Sequence, residues 1–368
     1  MVRSLPEAEQ HLVLGGGSDA KLAALEVDPA SLTVLPTLVR QPDPWRDVIT
    51  LERLVRLIRR RGYDLVVTHQ SKAGVLGRTA ARVCGVPAVH SLSMANFGDG
   101  YPRWQSLIFR TIESRLARAT AAYTVVGADL CRRYEEIGVP TEKVHVVRSG
   151  VPLPPPGGPE PPKGEVCRAL GLPRDRPLIL YLGSLEPRKN VLDLPHLLGR
   201  LVSLTVSPHP YLVVAGDGPL SGPLQQALGA AGLADDARLL GFVPDPLPLV
   251  SVADVVVLLS SAEGVPQVLV QAAAAGTPFV AYAVDGVREL IDLGAHGVGV
   301  PPGDLEAAAF ATRSILGDDR PPLPGSIDLS SWSTRTITEG YRQVIGSVLA
   351  SGSMPAGRRL ADAESIAW

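Results

Sequence analysis

Residues 254–290 read DVVVLLSSAEGVPQVLVQAAAAGTPFVAYAVDGVREL, and this stretch decides the fold class. Its apolar run at 255–259 has the length and β-branched content of a buried strand, and Gly264-Val265-Pro266 then turns the chain into a helix over 267–275. Proline suits a helix start because its missing N–H would have no partner there. A second apolar run, at 277–282, follows the helix. This succession predicts a βαβ unit and therefore a parallel sheet.

The turn between that strand and helix is the first candidate for chemistry. Glu263 lies just outside the turn, and the N–H groups of the first helical turn have no partners within the helix. Such groups bind an anion or a row of hydroxyls. Gln271 lies eight positions after Glu263 and is expected to face the same cleft.

Residues 180–190, LYLGSLEPRKN, form a second strand–loop–helix junction. The predicted strand ends at Gly183-Ser184, and Arg188 and Lys189 stand at the mouth of the next helix. Cations at a helix N-terminus interact unfavourably with the helix dipole, at a cost of roughly 0.3–1 kcal/mol. A bound anion would offset this cost. Arginine offers a bidentate fork for phosphate and lysine a point charge. The alternative is an exposed pair on a surface turn.

Two more loops follow predicted strands, and the glycines in them permit close approach of a ligand. Gly216-Asp217 lies in the first loop, which is a turn on any interpretation. Phe242-Val243 lies in the second, where backbone groups either contact a nucleotide base or simply end a strand.

Residues 152–164, PLPPPGGPEPPKG, divide the chain. Seven prolines within 152–162 exclude a helix or a central strand and predict an extended linker. On both sides, short β-branched runs alternate with amphipathic stretches, which is typical of α/β domains with parallel sheets. The predicted units are domains at 1–151 and 165–329, a C-terminal crossover helix at 330–350 that packs back on the first domain, and a tail at 351–368.

Six strands are expected in each half, near 11–14, 32–35, 63–68, 88–92, 122–126 and 144–147, and then near 178–183, 211–215, 237–241, 254–259, 277–282 and 297–300. In the first half, the spacing of Leu51, Leu54, Val55 and Ile58 predicts a helix, with others near 73–83 and 103–117.

Composition excludes several protein classes. The 368 residues include 35 Lys+Arg and 37 Asp+Glu, and this net charge of −2 argues against nucleic acid as a partner. The three cysteines, Cys84, Cys131 and Cys167, fit neither a disulfide framework nor a zinc site. No apolar run approaches the ~18 residues of a membrane span, and residues 1–7 lack a hydrophobic signal core. We therefore expect a cytoplasmic protein.

In chain order, GSLEPRKN, AGDGPL, GFVPD and EGVPQVLVQAAAAGTPFVAYAVDGVRE resemble the retaining GT-B glycosyltransferases of family 4, the glycogen-synthase-like or group 1 type. The resemblance covers about 176–346, and the pattern of 67–91 and 144–151 agrees with it. It implies two Rossmann-like parallel-sheet domains facing across a cleft. The first would bind the acceptor and the second a nucleotide-diphosphate sugar.

The resemblance also implies roles for individual residues. Arg188 and Lys189 would bind the diphosphate and neutralise the departing nucleotide, and Glu263 would hydrogen-bond donor-sugar hydroxyls. The donor-binding set implied by matching motifs is Gly183, Ser184, Gly216, Asp217, Phe242, Val243, Gly264, Val265, Pro266, Gln267, Val268 and Gln271. Cationic stabilisation of the leaving group removes the need for a metal, so no metal and no other cofactor is expected. Retention by same-face attack requires no protein nucleophile.

Acceptor-side candidates in the first half are His69, Ser71, Lys72, Gly74, His90 and Ser93. Three aromatic residues, Phe97, Tyr101 and Trp104, either line an acceptor surface or pack in the core. The expected acceptor is a sugar, a lipid-linked molecule or another natural product. A lipid acceptor would bring peripheral contact with the inner face of a membrane.

Three features depart from the family pattern. Gln271 replaces a glutamate, which predicts weaker binding of the nucleotide. Ser93 stands where relatives place a histidine, and His90 either substitutes for it or packs at a strand end. The first βα unit of the N-terminal domain is expected to be absent, so that either the gene start is misplaced or the domain is completed otherwise. These departures keep open an alternative, a noncatalytic relative that binds nucleotide or a partner. An epimerase of the same architecture fits the sequence from Glu263 to Gln271 less well.

Overall fold

The computed structural model describes residues 8–16, 31–39, 41–98, 100–153, 161–204, 208–317 and 327–351. Most of the predicted proline linker and nearly all of the predicted tail lie outside these ranges, as does the side chain of Ser71.

The N-terminal domain has six strands and four α-helices in its described part. The strands are β1 (Leu12–Gly15), β2 (Leu32–Leu35), β3 (Val66–His69), β4 (Ala88–Leu92), β5 (Ala122–Val125) and β6 (Val144–Val146). The helices are α1 (Pro44–Arg61), α2 (Ser71–Cys84), α3 (Arg103–Leu116) and α4 (Ala128–Glu136). Strands β3 to β6 form one parallel sheet in chain order, which confirms the predicted α/β class.

Strands β1 and β2 form a separate parallel pair. Leu35 from β2 nevertheless packs in one apolar cluster with Leu54 and Ile58 of α1 and Leu76 of α2. Among the described residues, no strand joins this pair to the four-stranded sheet. The absence of the first βα unit stays a prediction.

The C-terminal domain is one six-stranded parallel sheet with helices between its strands. Its strands are β7 (Leu178–Leu182), β8 (Tyr211–Ala215), β9 (Ala237–Gly241), β10 (Val255–Leu258), β11 (Phe279–Tyr282) and β12 (Gly297–Val300). Its helices are α5 (Lys163–Leu170), α6 (Leu194–Leu204), α7 (Ser221–Ala230), α8 (Leu247–Val252), α9 (Gln267–Ala274), α10 (Val287–Asp292) and α11 (Leu305–Leu316).

The order of these strands, β12-β11-β10-β7-β8-β9, contains a topological switch point. The chain builds outward from β7 to β9 and then returns to place β10 on the other side of β7. Open parallel sheets bind ligands beyond the carboxyl ends of their strands at such a switch point. The loops after β7 and β10 are therefore neighbours.

The last helix, α12 (Thr334–Ser351), packs against the N-terminal domain. Its Ile337, Tyr341 and Val344 are buried with Val89 of β4 and Val147. This apolar contact holds α12 on the first domain.

A buried ion pair ties the helices of the N-terminal domain together. The guanidinium of Arg78 on α2 donates to both carboxylate oxygens of Glu113 on α3, at 2.7 and 2.9 Å. The same guanidinium donates to the Gly74 carbonyl at 3.0 Å and to the Tyr123 hydroxyl at 3.2 Å. Its charge is thus paired and hydrogen-bonded, as burial requires.

We expect Arg78→Ala to lower the free energy of unfolding by about 3–5 kcal/mol, because it leaves the Glu113 carboxylate buried without its partner. Urea unfolding followed by circular dichroism measures the effect. Arg82→Ala, at an exposed position of the same helix, is the control and should change little. Equal stability of the two variants would show that the buried pair does not stabilise the domain.

Candidate functional site

The centre of the candidate site is an ion-pair cluster where the loops after β7 and β10 meet. The ammonium of Lys189 lies 2.5 Å from Glu263 Oε1, and the guanidinium of Arg188 lies 3.4 Å from Glu263 Oε2. Arg188 also donates to the Ala262 carbonyl at 2.5 Å. The sequence predicted that these two loops serve one ligand, and the structure brings their charged residues into direct contact.

Backbone hydrogen bonds hold the two loops in register. The Arg188 carbonyl accepts from the Ser261 N–H at 2.9 Å, and the Asn190 side chain donates to the Leu259 carbonyl at 2.9 Å. Asn190 has a left-handed backbone (φ 47°), which asparagine tolerates better than most residues. The turn Pro187–Lys189 is thereby fixed with its two cations beside Glu263.

Three further donor candidates lie at the ends of neighbouring strands. The Gly183 N–H donates to the Ala215 carbonyl at 3.0 Å, and the Gly216 N–H donates to the Gly241 carbonyl at 2.7 Å. A Cβ on Gly216 would collide with the Gly183 carbonyl, so this close approach requires glycine. The Ser184 carbonyl accepts from the hydroxyl of buried Tyr181 at 2.9 Å.

Asp217 and Phe242 differ in what the structure shows of them. The Asp217 carboxylate accepts from the Gly218 N–H at 2.7 Å and the Ser221 hydroxyl at 3.0 Å, so it closes its own turn before α7. Phe242 is 77% exposed at the end of β9, beside the half-buried Val243. An exposed aromatic face at the strand ends is available for stacking.

Helix α9 begins where the sequence predicted a free N-terminus. Pro266 precedes its first residue, Gln267, whose side chain is exposed, while Val268 is buried. The amide of Gln271 is buried and donates to the Pro152 carbonyl at 3.2 Å. Gln271 therefore contacts the linker, and its contact with a ribose stays a prediction.

The two domains meet backbone to backbone beside this helix. A Cβ on Gly264 would collide with the Ser93 carbonyl, and a Cβ on Gly286 would collide with the Gly264 carbonyl. Glycine at these positions lets the loop after Glu263 touch the N-terminal domain. Val265, next to Gly264, also packs on the apolar cluster of that domain.

Ion pairs across the domain boundary flank this contact, and the sequence reasoning missed them. Arg133 on α4 forms a bidentate pair with Asp285. Glu289 on α10 accepts from the Ala128 N–H at 2.9 Å and pairs with Arg148 at 2.5 Å. The quoted motif ended in VDGVREL without a role for its charges, and the sequence signal for them was one acid beside a glycine after a strand, Asp285, and a second acid, Glu289, in the helix that follows.

A cavity of about 390 Å³ opens between the domains at the ion-pair cluster. Phe97 and Tyr101 line it from the first domain, while Glu263, Asp285 and Arg288 line it from the second. Of the three aromatics considered for this surface, Trp104 is not part of the lining and lies exposed on α3. The cavity has room for a sugar ring beside Glu263.

Several acceptor-side predictions need correction. His90 is fully buried under α2: its Nδ1 lies 2.8 Å from the Thr68 hydroxyl, and Gly74 packs on its ring. Burial, and then the Arg78 guanidinium, hold the pKa of His90 well below its ordinary value, so the ring is neutral. The prediction that His90 and Gly74 face an acceptor is wrong because both belong to the core, and the alternative given for His90, packing within its strand, is the correct one.

Lys72 is held in an ion pair, and its contact with an acceptor stays a prediction. Its ammonium pairs with Asp47 at 2.5 Å and donates to the Gln41 carbonyl at 2.5 Å, so its charge is used in holding α1 to α2. His69 is exposed at the end of β3, and Ser93 is exposed with its hydroxyl bonded to the Gln70 amide.

Ser71 starts α2, and its side chain is outside the described part. Among the described side chains, no group of three or more His, Cys, Asp or Glu residues is arranged to hold a metal ion. Within the described ranges, no helix has the length and apolar character needed to cross a bilayer.

Two glycosyltransferase family models match the chain. Residues 163–325 match the family model "Glycosyl transferases group 1", and residues 1–150 match "Glycosyl transferase 4-like domain". The chain is 30% identical over 314 residues to a 2-deoxystreptamine N-acetyl-D-glucosaminyltransferase of Streptomyces fradiae, covering 79% of this chain and 73% of that protein.

A second relative is the UDP-Gal:alpha-D-GlcNAc-diphosphoundecaprenol alpha-1,3-galactosyltransferase of Escherichia coli, 29% identical over 290 residues, covering 77% of this chain and 74% of that protein. In fold, the chain is similar to Anabaena Alr3699/HepE, solved in complex with UDP, with a TM-score of 0.67, 20% identity, and coverage of 92% of this chain and 100% of that one. The chain therefore belongs to the group 1 glycosyltransferases, and its two parallel-sheet domains have the GT-B fold.

Proposed function

We propose that this glycosyltransferase moves a hexosyl group from a uridine-diphosphate sugar to an acceptor in the interdomain cavity, with retention of anomeric configuration and without a metal. The observation that carries the proposal is the cluster of Arg188, Lys189 and Glu263 at the switch point of the second sheet. Uridine is chosen because the name of the Escherichia coli relative specifies UDP-Gal.

The cluster retains hydrogen-bonding capacity for a donor substrate. Lys189 has three ammonium donors, of which one bonds to Glu263, and the Arg188 guanidinium has five donors. Each carboxylate oxygen of Glu263 can accept a further hydrogen bond. A diphosphate next to the two cations would thus accept from the donors that the cluster itself does not use. A sugar hydroxyl next to Glu263 would likewise donate to the carboxylate.

The cations would act on the leaving group. As the glycosidic bond breaks, negative charge grows on the diphosphate oxygen, and two fixed positive charges stabilise that charge. The acceptor hydroxyl would approach from the face that the diphosphate leaves and pass its proton to the departing diphosphate oxygen. Its oxygen would bond to the anomeric carbon as the old bond breaks, so the sugar keeps its anomeric configuration. Phe242 would stack on the uracil ring, and the N–H groups at the start of α9 would contact phosphate or sugar.

Acceptor chemistry differs among the relatives. The name of the Escherichia coli relative specifies a diphosphoundecaprenol-linked sugar, and the name of the Streptomyces fradiae relative specifies 2-deoxystreptamine. The proposal therefore covers lipid-linked, sugar and natural-product acceptors bound against Tyr101 and Phe97.

We expect Lys189→Met to reduce UDP release from a panel of UDP-hexoses by about 10²–10³-fold, because one stabilising charge is lost from the leaving group. Glu263→Gln should reduce it as well. The control is Glu306→Gln, which breaks an exposed ion pair with Arg200 and should leave the rate unchanged. Wild-type protein that UDP stabilises against heat but that releases no UDP would support the noncatalytic alternative instead.

Gln271→Glu tests the ribose contact. Because a carboxylate cannot donate to the Pro152 carbonyl, we expect the variant to lose about 1–3 kcal/mol of stability. If residue 271 also contacts ribose hydroxyls, calorimetry should show tighter UDP binding, since charge-assisted hydrogen bonds are stronger. Gln225→Glu, on exposed α7 surface, controls for the added charge. Unchanged or weaker UDP binding would show that the ribose assignment is wrong.

Gly264→Ala tests whether domain contact is needed for transfer. Its Cβ collides with the Ser93 backbone, so we expect the domains to be held apart and transfer to fall at least about tenfold, with UDP affinity within about twofold of wild type. Gly222→Ala on α7, where the added Cβ contacts nothing, is the matched control. Wild-type transfer activity in Gly264→Ala would show that this contact is not needed for transfer.

A further inference from the structure

Helix α3 exposes large apolar side chains on one face. Trp104 is 67% exposed, Leu107 is 68% exposed and Ile108 is 49% exposed. Residues spaced by three and four positions share one face of a helix, so these three side chains form a single patch. Single exposed apolar residues are ordinary, whereas a group on one face marks an interaction surface.

The same helix and its 3₁₀ extension are strongly basic. Four arginines in the segment are exposed, namely Arg103, Arg110, Arg115 and Arg118. None of them forms an ion pair with a described residue. The segment's one acid, Glu113, is buried and paired with Arg78. The exposed surface of residues 103–118 therefore has four positive charges and no negative one, in a chain whose net charge is −2.

We propose that this surface of α3 docks on the anionic face of a lipid bilayer. A helix with Trp, Leu and Ile on one face and arginines beside them lies flat in the headgroup region, with its apolar side chains inserted. Arginines near an anionic surface add to binding because the lipid headgroups attract them. Tryptophan is favoured at this depth because its ring is apolar and its N–H is polar.

The position of α3 relative to the cavity connects this surface to the reaction. Tyr101 lines the cavity, and Trp104 follows it by three residues, a span of at most about 11 Å of chain. An acceptor whose lipid tail stays in the bilayer would thus present its head group beside Glu263. This step rests on the proposed function and selects the lipid-linked class of acceptor from those it covers.

The charges that line the cavity suit a phosphate-bearing head group. Arg133 is paired with Asp285, and Glu263 is paired with Lys189, so these charges are balanced. Arg288 also lines the cavity and is exposed, and it has no ion pair with any side chain in the described ranges. The remaining positive charge complements a phosphate and opposes a cationic aminoglycoside.

Vesicle co-sedimentation of the full chain tests the membrane surface without donor or acceptor. We expect binding to vesicles of phosphatidylcholine with phosphatidylglycerol, and at least tenfold weaker binding to phosphatidylcholine alone. Arg103→Gln combined with Arg110→Gln should lower the partition coefficient by about thirtyfold, the equivalent of about 1 kcal/mol for each arginine. Leu107→Ser combined with Ile108→Ser should also lower it.

Matched controls lie in the C-terminal domain. Arg168→Gln combined with Arg174→Gln removes two exposed arginines, and Phe310→Ser removes an exposed aromatic side chain. Both controls should bind vesicles as wild type does. Absence of wild-type binding to anionic vesicles, or equal loss in controls and α3 variants, would overturn the proposal.

Two further measurements distinguish membrane docking from dimerisation and from the transferase activity itself. If light scattering shows a dimer that Leu107→Ser dissociates, and anionic vesicles do not bind, then α3 contacts a second copy and the membrane proposal is wrong. UDP release from a UDP-hexose in the absence of vesicles tests the transferase separately. Normal vesicle binding by a protein that neither hydrolyses a UDP-hexose at high enzyme concentration nor binds UDP would refute the proposed function and leave the membrane surface standing.

Discussion

The contact between Lys189 and Glu263 is the constraint on which the site depends. Glu263 has a side chain only 9% exposed, and a carboxylate so far from water is tolerated only when it is paired and hydrogen-bonded. Its partners lie on the loop of the neighbouring strand, so the pair fixes the two loops at one distance. The sheet order brings those loops together, and the hydrogen bonds of Asn190 and Ser261 keep them there.

The second requirement is that the first domain reaches this cluster. A side chain at Gly264 would keep the domain backbones apart, and the absence of a Cβ there lets them meet, while glycine at position 286 lets a second loop of the C-terminal domain pack on the Gly264 loop. The pairs Arg133–Asp285 and Arg148–Glu289 then add attraction on either side of that contact. Since these ion pairs are partly exposed to solvent, they orient the domains more than they bind them. The cavity is the space that this arrangement leaves beside Glu263.

The sequence predicted the parallel sheets and the meeting of the loops at Lys189 and Glu263, because apolar runs, turn residues and proline placement are local signals. It could not predict which polar side chains are buried or have their ion-pair partners within the protein. Lys72 looks like a free cation in the sequence, but Asp47, its partner, is 25 residues away. His90 gives no sign of its burial against Gly74, since packing between a helix and a strand is a tertiary property. Arg133 and Asp285 come from different domains, and no spacing rule connects them.

Charge averaged over the whole chain also conceals local surfaces. A net charge of −2 argues against a partner, such as nucleic acid, that is bound through an excess of basic residues over the whole protein. A bilayer, in contrast, contacts only one face. On α3 the single acid is turned inward to pair with Arg78, and this burial leaves the arginines outside unopposed. The interaction that stabilises the first domain therefore also determines the charge of its outer surface. The stability of the first domain and the proposed attraction of α3 to an anionic bilayer both depend on the inward orientation of the Glu113 side chain.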